Sequence, residues 1–558
     1  MRKLKHLIWI IPFLAVLILV TVQILKQEQS VTGPLCFDVR SGRNVKRITC
    51  WTDQNTSYVF LPSYADVKDV TPVFKNQTIT IEGKEISQFL KDTEIQYGLP
   101  YAMESEDPEL GTKICFEKSD QVASVYIDTA SRSMDAVNES ETHDYKEQAI
   151  VSVFTEDGTL NYHSRGKDYI KGHGNWSWEQ DKKSYKLTLD KTWDLLGMGN
   201  NKEYILVSNV MDPSFLRNYL IYAFADQIGS YEGFSPDCRY ADVYFNGEYD
   251  GLYLLVEKIE ATKHQLPLNS DSYLLEMNLD SHASEEDEPF YLSDGVCAEI
   301  KYPKVLSAQR RTEIENQFCS LLDGLEAGNT NVLDQIDLDS WTERYLIDEV
   351  FLNYDGGVGS QYFFYDAEKG RFFAGPCWDF DNTLGIGGQN NTNCILVSQE
   401  YYNDYIRKPL FYNLMKQSAF SDNVMALYQN TFLPKLNELI QNGIAAEDQK
   451  ISAARQMNAV RWKAGFDDSD TEKMKQFLQE RIAFLNSLWV DHEDYCVITL
   501  KGPMYHYYYI QKDTECGQLP IPEQYGVMGS YNWLIEDTGE VFHYDSVITE
   551  DLSLVPEY

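Results

Sequence analysis

The chain has 558 residues, 86 acidic against 48 basic side chains, a formal net charge of -38 and a pI near 4.5. That balance excludes a nucleic-acid or polyanion partner, because such binding runs on clustered Lys and Arg that neutralise phosphates. A 43% hydrophobic content with 38 tyrosines is ample for packed cores, and the length predicts about three to four domains.

Residues 1–6 carry Arg2, Lys3, Lys5 and His6 and precede the uncharged run LIWIIPFLAVLILVTVQIL, residues 7–25. At about 1.5 Å per residue such a run spans a bilayer core of about 30 Å. It leaves through Lys26-Gln-Glu-Gln rather than through small residues, so it predicts an uncleaved signal anchor. The basic residues before it place 1–6 in the cytoplasm and the bulk of the chain outside, as a single-pass cell-membrane protein. The ten cysteines run from Cys36 to Cys516 with no C-x-x-C pair. Their pattern disfavours zinc and permits disulfides, with Cys36 and Cys50 the candidate local pair.

From about residue 30 to 120 the stretches SYVFLPS, QTITIEGKEI and KICFEK alternate as short strands and predict a small β-rich region. From 121 to 490 the chain is mixed α/β. There Lys171-Gly-His-Gly-Asn175 leads into a strand that carries Lys183 and Lys186. Glycines let backbone N–H groups close on phosphate oxygens, so Gly174 and Asn175 are candidate nucleotide contacts, and a strand lysine can pin the phosphates from below. A hairpin turn feeding an edge strand with solvated lysines fits this stretch equally well. Asp212-Pro213 predicts a helix start, as cap and first helical residue, with a stop at Gly229. Two strands joined by a turn at Asn246-Gly247 follow. Glycine loop, lysine strand, helix and hairpin is the order of a kinase N-lobe.

Residues 361–365 and 371–374 read as aromatic strands joined by the turn Asp366-Ala-Glu-Lys-Gly370. A hairpin returns the chain to its starting end, so Asp355 before it and Asp379 after it are expected to face one cleft. One carboxylate would orient the acceptor hydroxyl or take its proton, and the other would hold a divalent metal. Gln361 is a candidate neutral metal ligand. The sequence CWDFDNTLG also matches the D-x-D-x-T opening of aspartyl-phosphate phosphatases. That chemistry needs the first aspartate at the end of a buried parallel strand, for which Arg-Phe-Phe-Ala-Gly-Pro-Cys-Trp is unsuited.

Residues from about 402 to 490 read as helical, with an apolar stripe at Met474, Leu478, Ile482, Leu485 and Trp489 and a capping box Ser469-x-x-Glu472. The tail, 495–558, returns to strands and turns.

The stretches KGHGNWSWEQDKKSYKL, FLRNYLIYAFADQIG, GLYLLVEKI, YLLEMN, EIKYPK, the NYD before the aromatic hairpin and PCWDFDNTLG together resemble the spore-coat protein H (CotH) family of atypical kinases over residues 121–490. The resemblance implies an α+β, protein-kinase-like two-lobed domain, preceded in this chain by a transmembrane helix and a small β-rich region and followed by a small β module. It implies ATP with Mg²⁺ or Mn²⁺ and a protein substrate with a Ser or Thr acceptor. By position it makes Asp355 the catalytic acid/base, Asp379 the metal ligand with Asp381 as alternative, and Lys183 and Lys186 the leading nucleotide contacts. Lys171 stands where the family typically has arginine, and Gln361 where asparagine is more usual. The alternative function on the same fold is a catalytically inactive surface-binding protein. Residues 517–558, through G-Q-L-P, D-T-G-E and I-T-E-D-L-S-L, resemble bacterial cell-surface B-repeats and imply a possible cell-surface or cell-wall partner.

Overall fold

The structure, a computed structural model, describes residues 33–75, 77–283, 289–293, 295–356, 359–386, 391–396, 410–463, 469–491, 495–502, 505–525 and 527–557. The chain divides into two compact units: Met1–Lys171 with Tyr240–Tyr253 and Lys450–Ala464, and Gly172–Arg239 with Leu254–Gln449 and Gly465–Tyr558.

In the first unit, strands Asn44–Thr49, Gly33–Ser41 and Thr71–Lys75 form a three-stranded sheet. A six-stranded sheet runs from Trp51–Asp53 to Lys84–Glu85. Alternating side chains put Phe37, Phe60, Ile79, Ile81, Ile114 and Phe116 into one buried cluster. Cys36 sits directly opposite Thr49 in the antiparallel register, so Cys50, one residue further, points to the other face. The expected Cys36–Cys50 disulfide is therefore corrected, and none of the ten cysteines is in a disulfide.

Seven strands form a closed sheet. In chain order they are β1 (Ala123–Thr129), β2 (Glu147–Phe154), a flanking strand β3 (Leu160–His163), β4 (Asp168–His173), β5 (Ser184–Asp194), β6 (Asn200–Val207), and, after helix α1 (Arg217–Ile228), β7 (Cys238–Phe245) and β8 (Glu248–Glu257). The order around the sheet is β1-β7-β8-β6-β5-β4-β2, with β2 pairing back to β1 and β3 lying beside β2. This corrects the expected two-lobed, kinase-like architecture. The local order of glycine loop, lysine strand, helix and hairpin is present, but a parallel pairing of β1 with β7, Ala123 opposite Ala241, joins segments far apart in sequence. No periodicity reports that pairing.

The second unit holds a five-stranded antiparallel sheet. Strands β9 (Tyr273–Leu279), β10 (Phe290–Ser293), β11 (Val296–Tyr302), β12 (Gln361–Asp366) and β13 (Arg371–Ala374) lie in the order β10-β11-β9-β12-β13, with helix α2 (Leu338–Val350) between β11 and β12 in sequence. Every residue from Ser340 to Val350 is buried. Two buried ion pairs anchor α2: Arg344 Nε lies 2.9 Å from Asp348 Oδ2. Glu349 Oε1 lies 2.7 Å from Arg481 Nη2 of α3 (Asp470–Trp489), with both side chains 0% exposed. Removing one member of such a pair strands a buried charge, at about 3–5 kcal/mol.

The stripe Met474, Leu478, Ile482, Leu485 and Trp489 is buried on α3. Ser469 is the cap residue of that helix but makes no side-chain cap hydrogen bond, which corrects the expected capping box. Likewise α1 starts at Arg217 and not after Asp212, whose carboxylate accepts from the N–H groups of Ser214 and Arg217 instead. Strands Tyr495–Lys501, Tyr505–Gln511, Trp533–Ile535 and Leu552–Pro556 make a four-stranded sheet with its own buried cluster around Ile498, Trp533 and Leu554. The expected transmembrane helix, 7–25, lies outside the described residues, and among the described residues no helix is long and apolar enough to cross a membrane.

Candidate active site

The site grows from the end of α2. Buried Asn353 donates from its backbone N–H to the Asp348 carbonyl and from Nδ2 to Asp348 Oδ1, both at 2.8 Å. Its Oδ1 in turn accepts from the Asp355 N–H at 3.1 Å. The Arg344–Asp348 pair thus reaches, through Asn353, to the backbone that presents Asp355.

The hairpin β12–β13 pairs Phe363 with Ala374 and Asp366 with Arg371, and the chain then turns at Asp379, whose φ is +63°. Two side chains of α1 hold that turn. The Tyr222 hydroxyl accepts from the Asp379 N–H at 3.1 Å, and Asn218 Oδ1 accepts from the Phe380 N–H at 2.7 Å. A non-glycine residue in the left-handed region costs about 1–3 kcal/mol and persists only where its surroundings impose it. These two bonds are such an imposition.

Asp355 and Asp379 are brought within each other's electrostatic reach. Burial first, then the Asp355 charge and that of Glu276, push the Asp379 carboxyl up to about 6, against the Ser360 hydroxyl, which donates to its Oδ2 at 3.1 Å and favours the anion. Asp381 is pushed well above the carboxylate range by burial, then by Asp379 and Asp355. Asn382 Nδ2 donates to Asp355 Oδ2 at 3.4 Å. Three carboxylates therefore converge. Gln361 opens β12 opposite Met277, with its side chain 1% exposed and its amide nitrogen unpartnered among the described residues.

The lysines are placed differently. Lys186 Nζ lies 2.5 Å from Glu203 Oε2, and the same carboxylate takes Lys258 at 3.0 Å, which also reaches Glu260 at 3.1 Å. Burial and the like charge of Lys258 push the Lys186 ammonium down. Burial opposes ionisation of Glu203, yet the two lysines hold it down to about 2. Lys183 folds back, donating to the Trp178 carbonyl at 2.5 Å and the Gln180 carbonyl at 3.1 Å, over the Trp178 ring. The glycines are explained locally: a Cβ on Gly172 would meet the Trp178 ring at 2.5 Å, and one on Gly174, at φ +92°, would meet Ser177. Asn175 caps the short turn Trp176–Glu179 without a side-chain bond. Lys171, on β4, belongs to the other unit.

Several site residues escaped the sequence reading: Glu276, Ser360, Asn382 and the two α1 side chains, Tyr222 and Asn218. Glu276 sits inside the apolar strand YLLEMNL and pairs with Lys301 Nζ at 2.8 Å. A lone acid within a buried strand was the available signal. The other residues act through tertiary contacts of ordinary polar types, which carry no signature.

A divalent cation fits these residues. Clustered carboxylates, opposed at Asp381 by the Arg217 charge and near Asp379 by the Glu276–Lys301 pair, are relieved by a metal ion and offer it hard oxygen donors. Gln361 offers such a site only its amide oxygen, since the unpartnered atom is the donor Nε2. The phosphatase context is not met: Asp379 follows β13, the edge strand of an antiparallel sheet, and not a central parallel strand.

The carboxylate cluster has the makeup of a cation-binding centre. A family model described as CotH kinase protein matches residues 170–485, more than half of the chain, and the chain belongs to that family. Membership implies use of a nucleotide and a metal in general. The chain is also 29% identical over 278 residues to the inner spore coat protein H of Bacillus subtilis (strain 168), an alignment covering 44% of this chain and 72% of that protein. The expected cell-membrane localisation finds no support in the structure: its anchor, residues 7–25, lies outside the described residues, and among the described residues no helix is long and apolar enough to cross a membrane.

Proposed function

We propose that the protein is an atypical protein kinase that transfers the γ-phosphoryl group of ATP, with Mg²⁺ or Mn²⁺, to a Ser or Thr hydroxyl of a protein. The observation that supports this most is the convergence of Asp355, Asp379 and Asp381 at the two ends of one aromatic hairpin. Asp379 and Asp381, with Gln361, would hold the metal, which when bound neutralises the triphosphate and the charge that develops on transfer. Asp355, fixed by Asn353 and Asn382, accepts the proton of the acceptor hydroxyl. The acceptor oxygen forms its bond to the γ-phosphorus as the bond to the β–γ bridging oxygen breaks, and ADP leaves with that electron pair. Lys186, oriented by Glu203, is the proposed phosphate contact.

The test is transfer of labelled γ-phosphate from ATP to the protein itself or to a casein-like acceptor in Mg²⁺ or Mn²⁺. Metal-dependent labelling of Ser or Thr that is lost in Asp355→Asn supports the reading. Labelling that survives this substitution, or a wild type indifferent to Mg-nucleotide in both labelling and thermal stability, defeats it.

A further inference from the structure

A second group of ligating side chains lies apart from the aspartates, where β7 begins and β8 ends. Glu257 is the last residue of β8 and Asp237 immediately precedes β7. The Glu257 N–H donates to the Asp237 carbonyl at 2.9 Å, and the Asp237 N–H donates to Glu257 Oε2 at 3.3 Å. The backbone thereby fixes the two acids side by side. Glu257 is 2% exposed, and its Oε1 has no hydrogen-bond partner among the described residues. That oxygen lies 3.8 Å from His264 Nε2. A Cβ on Gly199, at φ +84°, would lie 2.0 Å from the same ring nitrogen, so only glycine leaves room for the imidazole. One oxygen from each acid and one imidazole nitrogen all lie within 4.8 Å of one another.

We propose that Asp237, Glu257 and His264 form a second metal site, for a divalent transition ion of the zinc class, that ties the start of β7, the end of β8 and the following loop together. An imidazole nitrogen with two carboxylate oxygens suits such an ion better than it suits Mg²⁺, which prefers an all-oxygen octahedron. Three protein donors leave a further position for water. A buried, unpartnered carboxylate oxygen is costly by itself, and a cation between it and the imidazole removes that cost. Burial, then the neighbouring Asp237 charge, push Glu257 up to about 8, so in the absence of a cation this acid holds its proton at neutral pH. Arg239 Nη1, 3.9 Å from Asp237 Oδ1, is the competing cation, and both side chains are 43% exposed. It sits at the rim and can move away without leaving a buried charge. Lys258 points to the opposite face of the strand, into the Glu203 pair, so the two sites share no ligand with each other or with the aspartates.

The experiment uses the full chain, purified without a metal-binding tag and stripped with chelator, then titrated with Zn²⁺ alone by calorimetry, with elemental analysis and thermal melting in parallel. Asp379→Asn separates this site from the aspartate cluster. Expected is one equivalent of Zn²⁺ bound equally by wild type and Asp379→Asn, with a rise in melting temperature. Affinity should fall by at least about tenfold in Glu257→Gln and in His264→Ala, as loss of groups around a metal commonly does. His264 lies half-buried on a loop, so its substitution keeps the test valid should Glu257→Gln fail to fold. If wild type takes up no Zn²⁺, or His264→Ala takes it up as wild type does, the site does not exist. Uptake lost in Asp379→Asn but kept in His264→Ala places the ion at the aspartates and likewise overturns the proposal.

Discussion

The aspartate cluster and the lysine–glutamate network solve the burial of charge in opposite ways. In Lys186–Glu203–Lys258–Glu260 every charge has its counterion within 3.1 Å. In Asp355, Asp379 and Asp381 like charges face one another, and the proton affinities of Asp379 and Asp381 are raised. The first arrangement supports the fold. The second is held together by the fold at a cost, through α1, α2 and the hairpin, and that is what a site awaiting a cation looks like in physical terms.

The comparison is broken most severely at Asp355. Asp355→Asn keeps the shape and the hydrogen bond from Asn382 but removes the proton acceptor, so turnover should drop by about 10²–10⁴-fold while Mg-nucleotide still raises the melting temperature, as labelling and thermal shift together will show. Asp379→Ala should abolish the metal-dependent part of that thermal shift.

Asp379→Asn sharpens the contrast through pH. The carboxyl's affinity for protons is raised from 3.8 to about 6 by folding, so ionising it costs stability progressively as pH climbs through that window. In metal-free protein the substitution should stabilise by ~1–2 kcal/mol above pH 6, a partial share of the about 1.4 kcal/mol per unit because the side chain is half-buried, and should do nothing below pH 4. Glu203→Gln should have the reverse sign. A carboxyl held down to about 2 contributes stability above its ordinary range, lost as pH falls toward 2, so the variant should lose ~1–2 kcal/mol at pH 7 and nothing at pH 2 in denaturant melts. Ser360→Ala removes one hydrogen bond to the Asp379 anion. It should weaken metal affinity by the smallest amount, about 0.5–1.5 kcal/mol in a Mn²⁺ titration.

How much of this was visible in the sequence follows from the range of the interactions involved. The hairpin was legible because strand, turn and strand are contiguous, and Asp366–Gly370 announces its own turn. With it came the pairing of Asp355 and Asp379 around one centre. Closure of the seven-stranded sheet was not legible, since β1 meets β7 more than a hundred residues later and nothing local encodes that partner. Lys183 was misjudged in orientation because a strand lysine looks the same whether it faces phosphate or, as found, the carbonyls of Trp178 and Gln180. The Gly172-His-Gly174 loop fits a phosphate cradle or a plain hairpin turn equally in sequence, and in the structure the missing Cβ of Gly172 makes room for an indole. Asp237, Glu257 and His264 are scattered through ordinary strand and loop sequence and meet only in three dimensions.

The aspartates at the ends of the hairpin are proposed to form one cation site that serves a nucleotide. The most direct measurement is nucleotide-dependent Mn²⁺ binding followed by electron paramagnetic resonance, comparing wild type with Asp379→Asn and Asp355→Asn. Tight Mn²⁺ binding in the presence of ATP that is lost in Asp379→Asn and retained in Asp355→Asn is the predicted result. Equal binding in wild type and Asp379→Asn would contradict the account.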